Sequence, residues 1–110
     1  MFSLSVFLEN VFTNGFNRLL GGAHTHVYSQ KSIDHFCKEY GFKILSEWWF
    51  GTDICDLKRL LDVQLHKNEC SENFQKKLTE GLEDLVDDLQ LVLDKKSFCS
   101  EVHMLLKVGK

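Results

Sequence analysis

Two segments of the chain alternate between apolar and polar side chains in the manner of β-strands. The first runs from Phe42 to Phe50, is rich in aromatic residues and is closed by Gly51. In the second, near the end of the sequence, every other residue is apolar: Val102, Met104, Leu106 and Val108 alternate with Glu101, His103 and Lys107. A period of two is typical of strands with one buried face. We therefore expect a strand at each place, with the pairing direction left open.

Apolar residues at helical spacing predict three main helices. The first begins at the capping residue Ser29, ends at Gly41 and has an inner face made of Ile33, Phe36, Cys37 and Tyr40. The second is capped by Thr52 or Asp53 and repeats apolar residues at Ile54, Leu57, Leu60, Leu61 and Leu65. The third and longest begins at Ser71 or Glu72, ends near Leu93 or Lys95 and carries Phe74, Leu78, Leu82, Leu85, Leu89 and Val92. Asp84, Asp87 and Asp88 lie opposite that stripe, on a solvated face.

The N-terminal segment fits two patterns at once. Phe2, Leu4, Val6 and Leu8 alternate as in a strand, whereas Leu4, Phe7, Leu8, Val11 and Phe12 follow a helical stripe. Breakers at Asn14-Gly15 and Gly21-Gly22 indicate a loop with a short helix between Glu9 and Tyr28. The whole pattern predicts one α/β domain over residues 1–110, with two or three strands covered by three helices.

Composition excludes several classes of protein. The 110 residues are 44% hydrophobic with a net charge of −3, so the chain is suited to a packed core rather than to disorder. Thirteen basic residues against sixteen acidic ones argue against a partner bound through phosphate neutralisation, so we expect no nucleic acid. No apolar run approaches the ~20 residues that span a bilayer, so we expect no membrane association either.

The four cysteines have no metal-binding or redox spacing. No CxxC pair occurs among Cys37, Cys55, Cys70 and Cys99. Two of them, Cys37 and Cys55, fall on apolar positions of predicted helices, where a reduced thiol behaves as a small hydrophobe. The first nine residues have no basic leader and reach Glu9 early, unlike a signal peptide. We therefore expect reduced thiols and a cytoplasmic protein.

His24-Thr25-His26 is the most unusual local feature. In an extended segment the two imidazoles point the same way, and their near-neutral pKa suits proton handling or substrate contact. A metal site needs a third donor that the sequence does not identify. The alternative is a polar loop held by its own hydrogen bonds.

Polar and aromatic residues also collect at the end of the first strand. Trp48 and Trp49 lie on opposite faces of that strand, so either both rings are buried or one of them lines a pocket. Asp53 and Asp56 follow directly, where strand ends of open α/β sheets commonly face ligands. Asp53 is equally a helix cap. His35, His66 and His103 are isolated, and we expect them to be structural.

The stretch His24-Thr25-His26-Val27-Tyr28-Ser29-Gln30-Lys31-Ser32-Ile33, followed by Tyr40-Gly41-Phe42 and a strand, resembles class I S-adenosylmethionine-dependent methyltransferases. In that family a segment of the kind H-x-H-x-[FY]-[ST]-x-x-S-[LI] precedes a helix that ends in x-G-F and leads into the sixth strand. The segment Ser100–Val108 looks like the seventh strand, which lies antiparallel between strands five and six. Ser3 to Leu8 is then similar to strand five, and Glu9-Asn10 to the turn after it.

The resemblance implies a partial Rossmann-like methyltransferase fold, with a small mixed sheet (counterparts of strands five, six and seven) and three main helices. The glycine-rich loop and the acidic residue that bind S-adenosylmethionine in the family would lie before Met1. We therefore expect the C-terminal half of a methyltransferase, which binds no cofactor tightly and is inactive alone. Its exposed sheet edge would lead to a homodimer or larger assembly.

The resemblance also assigns site residues for a small-molecule methyl acceptor. His24 and His26 are the candidate bases, whereas Tyr28, Trp49, Phe50 and Asp53 border the acceptor pocket. Two other classes stay open. One is a small autonomous interaction module that uses the stripe of its longest helix, and the other is a compact enzyme that uses His24 and His26.

Overall fold

Five helices and two strands make up the described part of this computed structural model, residues 3–12 and 28–109. In chain order they are α1 (Leu4–Val11), α2 (Gln30–Tyr40), β1 (Phe42–Phe50), α3 (Asp53–Lys67), α4 (Glu72–Glu83), α5 (Val86–Lys95) and β2 (Glu101–Val108). The predicted α/β class is confirmed. Of the expected three-stranded mixed sheet, the described residues contain two antiparallel strands.

The two strands pair along their full length. Phe42 lies opposite Val108 and Phe50 lies opposite Glu101, with a bulge at Leu45 where the register shifts between Ile44 and Ser46. The pairing divides the sheet into two faces. The first, which we call the α2 face, consists of Phe42, Ile44, Glu47 and Trp49 with Val108, Leu106, Met104 and Val102. The second, which we call the open face, consists of Lys43, Ser46, Trp48 and Phe50 with Lys107, Leu105, His103 and Glu101.

Helix α2 has the ends that its sequence predicts. The Ser29 side chain accepts from the backbone N–H of Ser32, and the Ser32 side chain accepts from that of Ser29, which is a capping box. Gly41 ends the helix with φ +67°, a backbone conformation that favours glycine. The ring of Phe36 stacks on that of Phe42 with centroids 5.6 Å apart, so α2 lies on the α2 face.

The N-terminal strand prediction is wrong, because residues Leu4–Val11 form helix α1. The Ser3 side chain accepts from the N–H of Val6 and caps the helix. Ser5, Leu8 and Glu9 are its buried residues, at helical spacing, and α1 packs against α3. Tertiary contacts stabilise this short helix, because it packs on α3, buries Leu8 and donates the backbone N–H of Ser5 to the Asp53 carboxylate. The segment that resembled strand five is therefore not a strand here.

The longest predicted helix is also corrected, because it is interrupted at Asp84 and Leu85. The apolar period continues across the break, but tertiary contacts fix the two halves separately. Lys58 forms an ion pair with Glu83 at the end of α4. In α5, Gln90 instead accepts a hydrogen bond from the backbone N–H of Ile54 at 3.0 Å. At the break, Asp84 and Leu85 keep right-handed helical dihedrals, and the N–H of Leu85 donates to the C=O of Leu82 at 3.0 Å, which is a tighter 3₁₀-type turn.

The buried apolar core is small. Among the described residues it contains Leu8, Cys37, Ile54, Leu60 and Cys99. The radius of gyration is 17.3 Å, whereas a compact domain of this length has about 13 Å. Many large apolar side chains consequently remain exposed on the sheet and on the helices. All four cysteines are free thiols, and no described helix is long and apolar enough to cross a membrane.

Candidate functional site

An apolar groove lies between α2 and β2. Its volume is about 260 Å³, and it is lined by Tyr28, Ile33, Phe36, Cys37, Met104 and Leu106. The spacing of the lining residues explains the groove. Ile33, Phe36 and Cys37 lie on one face of α2, and Met104 and Leu106 lie on one face of β2. The groove can hold an apolar group, but it is smaller than most small-molecule sites, which have about 300–1,000 Å³.

Tyr28 is the predicted site residue that borders this groove. It comes directly before α2 and is 58% exposed. The two candidate bases, His24 and His26, lie outside the described residues. Their position beside the groove therefore stays a prediction.

The open face carries a cluster of aromatic rings around an imidazole, made of Trp48, Phe50 and His103. The His103 ring lies 4.7 Å from the Phe50 ring, nearly perpendicular to it, and 5.1 Å from the Trp48 ring. These edge-to-face arrangements are favourable for aromatic rings. In the sequence His103 is isolated, because its position opposite Trp48 becomes visible only with the strand register. Alternation alone does place it on the face opposite Met104.

The two tryptophans lie on opposite faces, as predicted, but they are not both buried. Trp48 on the open face is 63% exposed. Trp49 on the α2 face is half-buried, and its indole Nε1 donates a hydrogen bond to Oε1 of Glu47 at 3.1 Å. Trp49 and Phe50 thus point to different sides of the sheet, and the described groove includes neither of them.

Asp53 occupies a buried junction between helices and strand. Its side chain is 0% exposed. Oδ1 accepts a hydrogen bond from the backbone N–H of Ser5 at 2.9 Å, and Oδ2 accepts one from that of Ser100 at 2.9 Å. The Gln90 side chain approaches Oδ2 at 3.4 Å. The carboxylate therefore holds α1, α5 and the segment before β2 on the start of α3.

Of the two caps predicted for α3, Thr52 is the one that the structure places at the helix start. Thr52 occupies the N-cap position but makes no side-chain capping hydrogen bond, and Asp53 is the first helical residue. Asp56, one turn along, accepts from the hydroxyl of Ser5 at 2.7 Å and is also buried. Both carboxylates serve contacts within the chain, and the groove at Tyr28 contains neither of them.

The described cysteines and acidic groups form no metal-binding cluster, and Cys99 is poorly suited to act as a nucleophile. Cys99 is 0% exposed. Desolvation by burial, followed by the nearby Asp94 carboxylate, raises the pKa of its thiol to about 11, which disfavours the reactive thiolate. Within residues 3–12 and 28–109, no group of three or more histidine, cysteine and acidic side chains is placed to hold a metal ion.

Comparison with protein-family models, curated proteins and solved structures finds no match to this chain.

Proposed function

We propose that the chain is the C-terminal, acceptor-side portion of an S-adenosylmethionine-dependent methyltransferase and is inactive alone. The observation that carries the proposal is the antiparallel pairing of β1 with β2 across three intervening helices. The resemblance implies this relation for strands six and seven. The approach to β1 supports it as well, since α2 ends at Gly41 and stacks Phe36 on the first residue of the strand.

The free side of β2 is where the described residues depart from the family pattern. The family has a strand beside the counterpart of β2, and in the described residues that edge of β2 has no strand partner. The small core and the exposed apolar side chains of the sheet are typical of a unit that packs against further structure. The N-terminal segment does not fill this place, because it is helical.

The described residues do not fit S-adenosylmethionine. The glycine nearest the end of β1 is Gly51, and a Cβ there would meet the Asp53 carboxylate and the backbone N–H of Ser100, so this turn is already filled. Asp53 is the acidic residue at that strand end, and its oxygens already accept hydrogen bonds from the chain. Under the proposal, the cofactor would bind to another part of the enzyme.

The proposed roles therefore concern the methyl acceptor alone. Tyr28 borders the apolar groove and would contact the apolar part of an acceptor. Trp49, on the same face of the sheet as the groove, would orient it from the strand end, and His24 or His26 would remove its proton. Phe50 points to the other face, so it would support the strand end without contacting the acceptor. Asp53 would position this loop region through its hydrogen bonds, without contacting the acceptor.

Calorimetric titration with S-adenosylmethionine tests the proposal. The chain alone should show no saturable binding, and low-micromolar binding would contradict the missing cofactor half. The nucleotide sequence upstream of Met1 supplies the positive test, because we expect a glycine-rich loop motif after a strand in the same reading frame. A strong ribosome-binding site directly before Met1, with no such motif, would overturn the proposal.

The exposed stripe of α4 and α5 favours a second candidate, an autonomous protein-interaction module. Phe74, Leu89 and Val92 are all exposed there. A module folds by itself, so its unfolding in urea should be one cooperative transition. The dependence of the unfolding free energy on urea concentration should match the surface that a chain of 110 residues exposes on unfolding. A broad, non-cooperative transition would favour the methyltransferase portion instead.

A further inference from the structure

The outer edge of β2 is an unpaired strand edge. One side of β2 bonds to β1, and in residues 3–12 and 28–109 the other side has no strand partner. Such an edge presents a row of backbone N–H and C=O groups to any strand that fits beside it.

The outer edge of β1 is a poorer choice because it is interrupted. Its bulge lies at Leu45, in the middle of the strand, and a bulge bends the strand and disrupts the ladder. Lys43 and Glu47 lie two residues before and two residues after Leu45. A second β1 that placed Lys43 opposite Glu47 would therefore have its two-fold axis at the bulge. By contrast, β2 extends from Glu101 to Val108 without an extra residue.

The charges of β2 are complementary to those of a second β2. Residues directly opposite in an antiparallel pair share one face of the sheet, so the two-fold axis must pass between the two copies of one residue of the strand. An axis at Met104 places Glu101 opposite Lys107 of the second copy, twice by symmetry. An axis at His103 places the two copies of His103 opposite each other, and one at Leu105 places His103 opposite Lys107. Opposite charges therefore select the axis at Met104.

A like-charge pair within the chain strengthens this selection. Lys43 and Lys107 lie directly opposite each other across β1 and β2 on the open face. Neither makes an ion pair with a carboxylate in the described part of the chain. Glu101 of a second copy would lie beside Lys107 at the outer edge and offset this repulsion.

The apolar residues match in the same register. On the α2 face, Val102 lies opposite Leu106 of the second copy, and Met104 meets its symmetry mate at the axis. Met104 and Leu106 also line the groove beside α2, so the second copy would extend that apolar surface. On the open face, Leu105, which is 60% exposed, lies opposite His103 of the second copy.

We propose that two copies of this chain form a two-fold symmetric dimer in which β2 pairs antiparallel with β2, centred on Met104, to give a continuous four-stranded sheet. The Glu101–Lys107 pairs fix its register. This inference uses the free edge and its charges alone, and it concerns the chain by itself, because a further strand of a longer enzyme would occupy the same edge.

Charge reversal tests the register. Sedimentation equilibrium of the unmodified chain should show a dimer at about 100 µM, where a micromolar dissociation constant predicts association. Glu101→Lys and Lys107→Glu should each weaken the dimer about tenfold, because each places like charges opposite one another twice. An equimolar mixture of the two variants should restore dimers, since in the mixed pair each lysine at the interface again lies opposite a glutamate.

Lys77→Glu is the matched control, because it reverses an exposed charge on α4 without altering either strand. It should retain the unmodified dimer, and circular dichroism should show that all variants are folded. A monomeric unmodified chain would overturn the proposal. Dimers that neither reversal weakens, or variants that fail to associate when mixed, would also overturn it.

Discussion

The backbone N–H of Ser100 donates a hydrogen bond to Oδ2 of Asp53 over 2.9 Å and thereby joins the approach to β2 to the first turn of α3. The other oxygen of this carboxylate accepts from Ser5, which belongs to α1. Segments from both ends of the described chain thus meet at one buried side chain. The junction has a polar centre, so its stability depends on hydrogen bonds more than on buried apolar area.

We expect Asp53→Asn to lower the free energy of unfolding by about 2–3 kcal/mol, as befits hydrogen bonds to a buried charged group. An amide keeps one acceptor oxygen but turns an N–H₂ group toward one of the two backbone donors. Urea unfolding followed by circular dichroism measures the change. Asp87→Asn, at an exposed position in the first turn of α5, is the control and should cost less than about 0.5 kcal/mol. Equal stability of the two variants would show that the carboxylate does not hold the junction.

Gly51→Ala should destabilise the same junction by about 1–3 kcal/mol through overpacking. An added Cβ would lie 2.9 Å from the backbone nitrogen of Ser100 and would also meet the Asp53 carboxylate. Thermal unfolding measures the loss. Gly81→Ala is the contrasting variant, since it lies within α4 with nothing near its Cβ position, and should raise stability by about 0.5–1 kcal/mol. Equal melting temperatures would contradict both expectations.

Cys99 should be the slowest of the four thiols to react with iodoacetamide at pH 8. Its thiol is buried and has a pKa of about 11, so little thiolate is present or accessible. Cys55 and Cys70 are half-buried and should be alkylated at least about tenfold faster. Mass spectrometry of tryptic peptides over time measures the four rates. Labelling of Cys99 at the rate of Cys70 would show that the region around β2 opens readily.

The raised pKa of Cys99 predicts that the folded chain loses stability at alkaline pH. Its pKa is raised from 9.0 to about 11 in the folded chain, mainly by desolvation. The unfolded chain therefore loses this proton at lower pH than the folded chain does. The stability contribution is complete below pH 9 and is lost as the pH rises through 11. Unfolding of the unmodified chain and of Cys99→Ala between pH 8 and about 11 isolates this effect, because other groups titrate in both. A constant difference between the two would contradict the raised pKa.

The sequence predicts the elements whose local signals agree with one another. Alternation in β1 and β2, together with the Ser29 cap and Gly41 end of α2, specifies these segments without distant contacts. The strand or helix choice at Leu4–Val11 depends on packing against α3, which no local pattern contains. The break at Asp84 and Leu85 is likewise not marked in the sequence, because neither position is glycine or proline and the apolar period continues across it.

The candidate site was predictable to a smaller extent. Tyr28 does border an apolar groove, but the role of Asp53 depends on Ser5, 48 residues away. The contact between His103 and Trp48 depends on strand register, which alternation alone leaves open. His24 and His26 lie outside the described residues, so their assignment as bases stays a prediction.

Trp48 and Trp49 are adjacent in sequence but face opposite sides of the sheet, and this gives the chain two intrinsic optical probes. With Trp49→Phe, the remaining emission comes from an exposed indole that iodide can quench. With Trp48→Phe, it comes from a half-buried indole that donates to Glu47. The pair of single-tryptophan variants therefore reports on the two sides of the sheet separately, without an attached dye.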